Sequence, residues 1–183
     1  MIVADDPGPL HYDRTTITLH WLTAGLVAFQ WIGAQTIDFF PRGALRVDAR
    51  SVHILACLLL TGVLIVRLCW RLTRGRRLPP AGSPPIHFLA WSVHIGLYLA
   101  LVAMVMTGIF LEWTRGDSIF NLFAVPKFAP GDRTLSEVMQ ERHALIGWII
   151  VGLVGLHASA ALFHRYYWRD GVLGRMLPSR WSA

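Results

Sequence analysis

Charge is scarce in this chain of 183 residues: Asp, Glu, Lys and Arg together make up 15%, against about a quarter in ordinary soluble domains. Hydrophobic residues reach 54% and mean hydropathy is +0.47, a balance suited to lipid. Cysteine is scarce too. Cys57 and Cys69 lie in one apolar run, where a straight helix would hold them roughly 18 Å apart, far beyond disulfide reach. Both read as plain apolar-run residues. There is no Gly-rich phosphate loop, no nucleophile–base constellation and no pair of catalytic carboxylates, so nothing supports hydrolytic chemistry. Internal repeats and low-complexity tracts are missing as well. The start, Met1 to Pro7, lacks a basic stretch ahead of the first apolar run, so that run is expected to stay in the protein.

Four apolar segments are each long enough for the ~20 residues that cross a bilayer core: Thr16–Ile37, Val52–Trp70, Ile86–Trp113 and His143–Tyr167. None alternates like a strand, and lipid admits only helices or closed barrels. The expected fold is an all-α bundle of four transmembrane helices forming one domain over residues 1–183. Breakers fill the connectors: Pro41 and Gly43, then Pro79 to Pro85, then Pro126, Pro130 and Gly131.

The net charge of +6 does not point to nucleic acid, because the arginines flank apolar segments instead of forming one solvated patch. One side comprises the N-terminus, the second connector and the C-terminus. It carries Arg14, Arg67, Arg71, Arg74, Arg76, Arg77, Arg165, Arg169, Arg175 and Arg180 against Asp5, Asp6, Asp13 and Asp170. The other side balances seven basic with seven acidic residues. Cytoplasmic loops carry the Lys/Arg excess, which places both termini inside. Trp70, Trp91 and Trp168 then fall near the inner boundary and Trp113 and Trp148 near the outer, as an aromatic belt does. The third connector, about thirty residues long by this reading, has room for a small outer cap.

Five of the eight histidines fall inside apolar runs: His20, His53, His94, His143 and His157. Ionisable groups within a membrane are costly and mark functional sites by default. A single such histidine is readily explained by a hydrogen bond to a neighbouring carbonyl; five in one small bundle are not. His143 and His157 are fourteen residues apart, which puts them on nearly one helix face and about 21 Å apart in depth. Depth matching pairs His20 with His157 near the inner surface and His53 with His143 near the outer. Zinc sites usually gather four ligands, often thiolates. Two imidazoles per level suit haem, whose porphyrin supplies the other four nitrogens. No Cys-x-x-Cys-His occurs, so any haem is held non-covalently. Gly25, Gly147, Gly152, Gly155, Ala158 and Ala160 offer room for flat groups, or simply serve helix packing. His94 also lies in the inner half, so spacing alone leaves it a rival partner for His157. Arg67, fourteen after His53, either binds a haem propionate or snorkels to the interface.

These segments resemble a known family. Ile17-Thr-Leu-His20-Trp21-Leu22, Ser51-Val-His53-Ile54 with Val66-Arg67-Leu68-Cys-Trp-Arg71-Leu72, His143-Ala-Leu-Ile-Gly147-Trp148, Gly155-Leu-His157 through His164-Arg-Tyr-Tyr-Trp168, and Leu173 to Pro178 are similar to motifs of the bacterial cytochrome b561 family. The likeness spans nearly the whole chain and is strongest to the short subgroup that includes superoxide oxidase. The resemblance implies a bacterial inner-membrane dihaem bundle, with two b haems (iron) ligated by His20 and His157 inside and by His53 and His143 outside. His94 is then not a ligand. It also implies electron exchange with ubiquinone. His164, about two turns beyond His157, is a candidate proton-exchanging residue beside a quinone pocket, or an interfacial histidine facing headgroups.

The leading expectation is an enzyme, a superoxide:quinone oxidoreductase. Superoxide gives electrons to the outer haem, they cross to the inner haem, and ubiquinone is reduced. Arg115, Lys127, Arg133 and Arg142 are candidates for an anion-attracting funnel. Against that stands the neutral outer side, where Asp117, Asp132, Glu137 and Glu141 are interspersed. A second expectation is an electron-transfer module that oxidises quinol and feeds a periplasmic partner docked on the third connector. A third, a haem-free metal or proton transporter, predicts colourless protein.

Overall fold

The computed structural model describes residues 11–128 and 133–177. Asp5, Asp6, Pro130, Gly131, Asp132, Pro178 and Arg180 of the sequence reading lie outside the described residues. Four long helices dominate: α1 (Arg14–Thr36), α2 (Ala44–Thr73), α3 (Pro84–Arg115) and α4 (Arg133–Phe163). Each is long and apolar enough to cross a membrane. A 3₁₀ turn, Ile37–Phe39, extends α1, and a π-helical segment, His164–Trp168, extends α4.

The helices outrun the apolar segments that announce them. The thirty residues of α2 rise about 45 Å, more than the ~30 Å hydrocarbon core. Their ends therefore stand in the polar interface, where hydropathy gives no helix signal. α4 begins ten residues before His143. The third connector shrinks accordingly, from about thirty residues to 116–132. It folds into a small hairpin of β1 (Ser118–Ile119) and β2 (Phe123–Ala124). Gly116 closes α3 in the left-handed conformation with φ 61°. A Cβ there would come within 2.8 Å of the Val125 carbonyl oxygen, so both backbone and space call for glycine.

Short connectors make antiparallel neighbours: α1 packs along α2 and α3 along α4, with sparser approach between the two hairpins. What joins them is an apolar layer of Leu60 and Leu64 from α2, Leu101 and Val105 from α3, and Ile150 from α4. Leu26, Val27, Met104 and Ile146 pack around it. Ile150 lies midway between His143 and His157 in sequence, so this layer separates two histidine levels. Leu58, Ile65, Leu99 and Leu145 point outward, as a lipid-facing surface requires.

Each end of the bundle is tied by polar contacts. At the end bearing the arginine excess, Asp13 caps α1. Its carboxylate accepts from the Thr16 amide at 2.9 Å and the Thr16 hydroxyl at 2.6 Å. It also accepts from the Trp70 indole and the Arg76 amide, each at 3.0 Å. The C-terminal segment folds across the same end: Tyr12 donates to the Arg175 carbonyl, the Trp21 indole to that of Met176, and Arg175 to that of Pro79. At the opposite end Ser51, fully buried, accepts from the Phe120 amide at 2.8 Å and donates to the Val47 carbonyl. Phe120 and Asn121 both have positive φ, the turn that suits a tight hairpin. Arg50 meets Asp117 at 3.4 Å beside it. The cap is thus pinned two residues from His53.

Ser51→Ala is expected to leave the Phe120 amide unpaired at a cost of about 1–3 kcal/mol, read as a lower thermal midpoint in detergent. Burial pushes the Asp13 carboxyl up, but hydrogen bonds from Thr16, Arg76 and Trp70 outweigh it and hold it at about 2, below an ordinary 3.8. A depressed carboxylate stabilises the fold at any pH above its unfolded value. That contribution is lost as pH falls from about 4 through 2, and Asp13→Asn should remove this part of the acid transition.

Candidate haem sites

Every helix sends a polar residue to each level. At the arginine-rich end these are His20 of α1, Arg67 of α2, His94 of α3 and His157 of α4. At the capped end they are Gln30, His53, Thr107 and His143. On α2 and α4 the recurrence follows from the helix period, since Arg67 and His157 lie fourteen residues after His53 and His143 and so return to nearly the same face.

The capped level holds one imidazole pair. His53 and His143 face each other across the gap between the helical hairpins, ring centroids 6.5 Å apart and planes at 77°. Thr107 supports His143: its oxygen lies 3.2 Å from His143 Nδ1 while its hydroxyl donates to the Ala103 carbonyl. With its own proton committed, Thr107 can only accept, so the His143 proton sits on Nδ1 and Nε2 is left open as a ligand. Gly108 lets this ring lie against α3, for a Cβ there would stand 3.2 Å from His143 Cε1. His53 Nδ1 is buried with no partner, and so is Gln30 Oε1. The Gln30 amide nitrogen meanwhile donates to the His53 carbonyl at 3.0 Å.

The other level holds three imidazoles. His20 and His157 have centroids 6.1 Å apart with planes at 65°. His94 is nearer to His157, at 5.0 Å and edge-on, and its Nδ1 donates to the Ala90 carbonyl at 2.7 Å. Arg67 reaches His20 Nδ1 at 3.1 Å and lies over the Tyr98 ring. Two metal–nitrogen bonds of about 2 Å each, plus the ring radii, set opposed imidazole centroids about 6 Å apart. His20–His157 and His53–His143 meet that spacing. His94–His157 is too close for it. Among the described residues no three His, Cys, Asp or Glu side chains gather as a metal cage.

The remaining sequence candidates are scattered. Arg115 donates to Gln140 at 2.8 Å. Lys127 packs over Gly116, and Lys127, Arg133 and Arg142 are exposed. His164 opens the π-helical segment, and its Nδ1 meets Asp170 Oδ2. The glycines divide. Gly147 packs against Met104, whereas nothing lies within 4 Å of a Cβ built on Gly25, Gly152 or Gly155. Gly25 and Gly152 are each five residues from a histidine, roughly 140° round the helix.

Comparison with known proteins agrees with this architecture. The family model of the prokaryotic cytochrome b561 matches residues 11–179. The chain belongs to that family. A protein of Escherichia coli named cytochrome b561 homolog 1 is 30% identical, over 92% of this chain and 98% of its own. One from Yersinia pestis, named a probable superoxide oxidase, is 29% identical over 92% of this chain and 97% of its own. A cytochrome b562 of Cereibacter sphaeroides is 28% identical over 97% and 100%. Membership makes this a bacterial membrane electron-transfer protein of a haem b family. The spacing of the two imidazole pairs fits such a group.

Thr107, Gly108 and Gln30 went unnoticed in the sequence. Gly108 carried a signal, since it lies fourteen residues after His94 and so marks the second level on α3. Thr107 and Gln30 carried none, because an apolar helix tolerates either residue for many reasons. Gly108→Ala is expected to push the His143 ring by a few tenths of an ångström and to shift the low-spin electron-paramagnetic signal of bound haem. Thr107→Val should perturb the same signal.

Proposed function

We propose that this cytochrome b561 carries electrons across the inner membrane through two b haems, from superoxide at the capped, outer end to ubiquinone at the arginine-rich, inner end. The observation that carries the reading is the pair of opposed imidazole couples, His53–His143 and His20–His157, both near the bis-imidazole spacing. About 21 Å of helix rise separates their α4 members. The arginine excess supports a cytoplasmic position for its end and for both termini. The Yersinia pestis relative, by its name, supports superoxide as the donor.

In this reading His20, His157, His53 and His143 hold the irons, and bound haem supplies one-electron carriage. Arg67 has donors only, so its contact with His20 Nδ1 places the imidazole proton on Nε2. Ligation through Nε2 requires that proton at Nδ1, which turns the guanidinium away from His20 and frees it for a haem carboxylate. Arg115, Lys127 and Arg142 raise the local concentration of an anionic substrate at the cap. His164 delivers protons where quinone is reduced. Two superoxide ions surrender two electrons and leave as dioxygen; ubiquinone takes those electrons with two protons from the cytoplasm.

The test is the purified protein with haem counted per chain, then mixed with superoxide and ubiquinone. Two non-covalent b haems are expected, with His53→Ala or His143→Ala removing one low-spin signal and His20→Ala or His157→Ala the other. Superoxide should reduce the protein, and ubiquinone should reoxidise it, without a further protein. Changing Arg115, Lys127 and Arg142 together to Gln should slow only the superoxide step, several-fold, and flatten its dependence on salt. A preparation that superoxide leaves oxidised but quinol reduces would instead make the protein a quinol-oxidising carrier for a periplasmic partner. A colourless preparation, despite haem supplied during expression, would sink the cytochrome reading.

A further inference from the structure

The geometry points to Asp170 as the positioning residue that sets His164 for proton transfer. This rests on the reading of His164 as the quinone-side proton donor. In a continuous α-helix, a residue six positions on lies roughly 240° round and about 9 Å further along, so Asp170 would not reach His164. It does so because the end of α4 is reshaped. The last turn widens into the π-helical segment His164–Trp168, and Arg169 then reverses the chain at φ 52°. A left-handed conformation is unfavourable for a residue other than glycine, and π-helical turns recur at functional sites. Here both bring one carboxylate onto one imidazole.

The pair is held on every side. Asp170 Oδ1 accepts from the Val172 amide at 3.2 Å, which aims Oδ2 at His164 Nδ1. The Trp168 ring packs edge-on against the imidazole, centroids 4.6 Å apart. The His164 side chain is 13% exposed and that of Asp170 31%, so the contact is partly shielded from water. An open cleft of about 420 Å³, lined by Arg165, Tyr166, Arg169 and Gly171, adjoins the same segment.

An ionised carboxylate only accepts, so Asp170 fixes the His164 proton on Nδ1 and leaves Nε2 with a free lone pair. A proton taken up from the cytoplasmic side onto Nε2 gives the imidazolium. That proton passes to a quinone oxygen, and His164 returns to its neutral Nδ1–H form. Two such cycles, with two electrons arriving singly from the inner haem, convert one quinone to one quinol. Asp170 gains and loses no proton.

The test uses the dihaem holoprotein, reduced beforehand and reoxidised by ubiquinone, in His164→Ala, Asp170→Asn, Asp170→Glu and the double variant His164→Ala/Asp170→Asn. Asp170→Asn is expected to lower turnover about tenfold or more with quinone KM within about twofold. Asp170→Glu should restore most of the rate, and Asp170→Asn should add no further loss to His164→Ala. Nitrogen-15 shifts of labelled histidine should show the Nδ1–H form of His164 in the wild type and its loss in Asp170→Asn. A slow His164→Ala beside a wild-type rate in Asp170→Asn would overturn the role of Asp170 alone. So would equal losses in the Asn and Glu variants with a lowered thermal midpoint. A wild-type rate in His164→Ala would instead overturn the quinone-side reading of His164, and the role of Asp170 with it.

Discussion

An imidazole buried in hydrocarbon is tolerable only when its polar atoms have partners, and the bundle is organised around that demand. Its two helical hairpins meet at a central apolar layer, and on either side of the layer histidines of the two hairpins face each other. Trp31 against Trp148 and Arg67 over Tyr98 add contacts between the hairpins above and below it. The layer of Leu60, Leu64, Leu101, Val105 and Ile150 keeps the levels distinct.

The partners of these histidines differ in kind. His143 leans on Thr107 and His94 on the carbonyl of Ala90, contacts that leave Nε2 free. His20 faces a guanidinium, which leaves the opposite tautomer. His143 is therefore set for ligation by its neighbour on α3, whereas His20 must first surrender a contact. The two ends of the bundle are unlike in the same sense. The capped end is a small hairpin hung on Ser51, close to His53, so loop and ligand share one anchor. At the arginine-rich end the N-terminal cap, the second connector and the C-terminal segment meet through Asp13 and backbone carbonyls. Two of the arginines there, Arg76 and Arg175, donate to the carbonyls of His11 and Pro79, which suits a face with few acids.

Much of this was legible in the sequence because lipid is a strict solvent. It forbids unpaired backbone, so the four apolar runs had to be helices, and it penalises buried polar groups, so five histidines stood out at once. The fourteen-residue spacing of His143 and His157 converts directly into depth and face, and the pairing of His20 with His157 and His53 with His143 matches the observed facing rings. Helix ends were less legible. α2 and α4 continue well past the hydrocarbon core into water, where apolar content no longer marks the helix, and the third connector was read as far longer than it is.

The amino-acid sequence by itself determined the number of spans, the charge asymmetry of the two faces and the depth of each histidine, since these depend only on local composition and the helix period. The tertiary structure alone showed how the rings are spaced, with His20 at 6.1 Å and His94 at 5.0 Å from His157. It alone showed that Thr107 and Gly108 shape the seat of His143. It also brought Asp170 back onto His164, because that contact depends on a helix terminus that widens and reverses. Such matters turn on a few ångströms between elements distant along the chain, and on backbone conformations that no periodic pattern encodes.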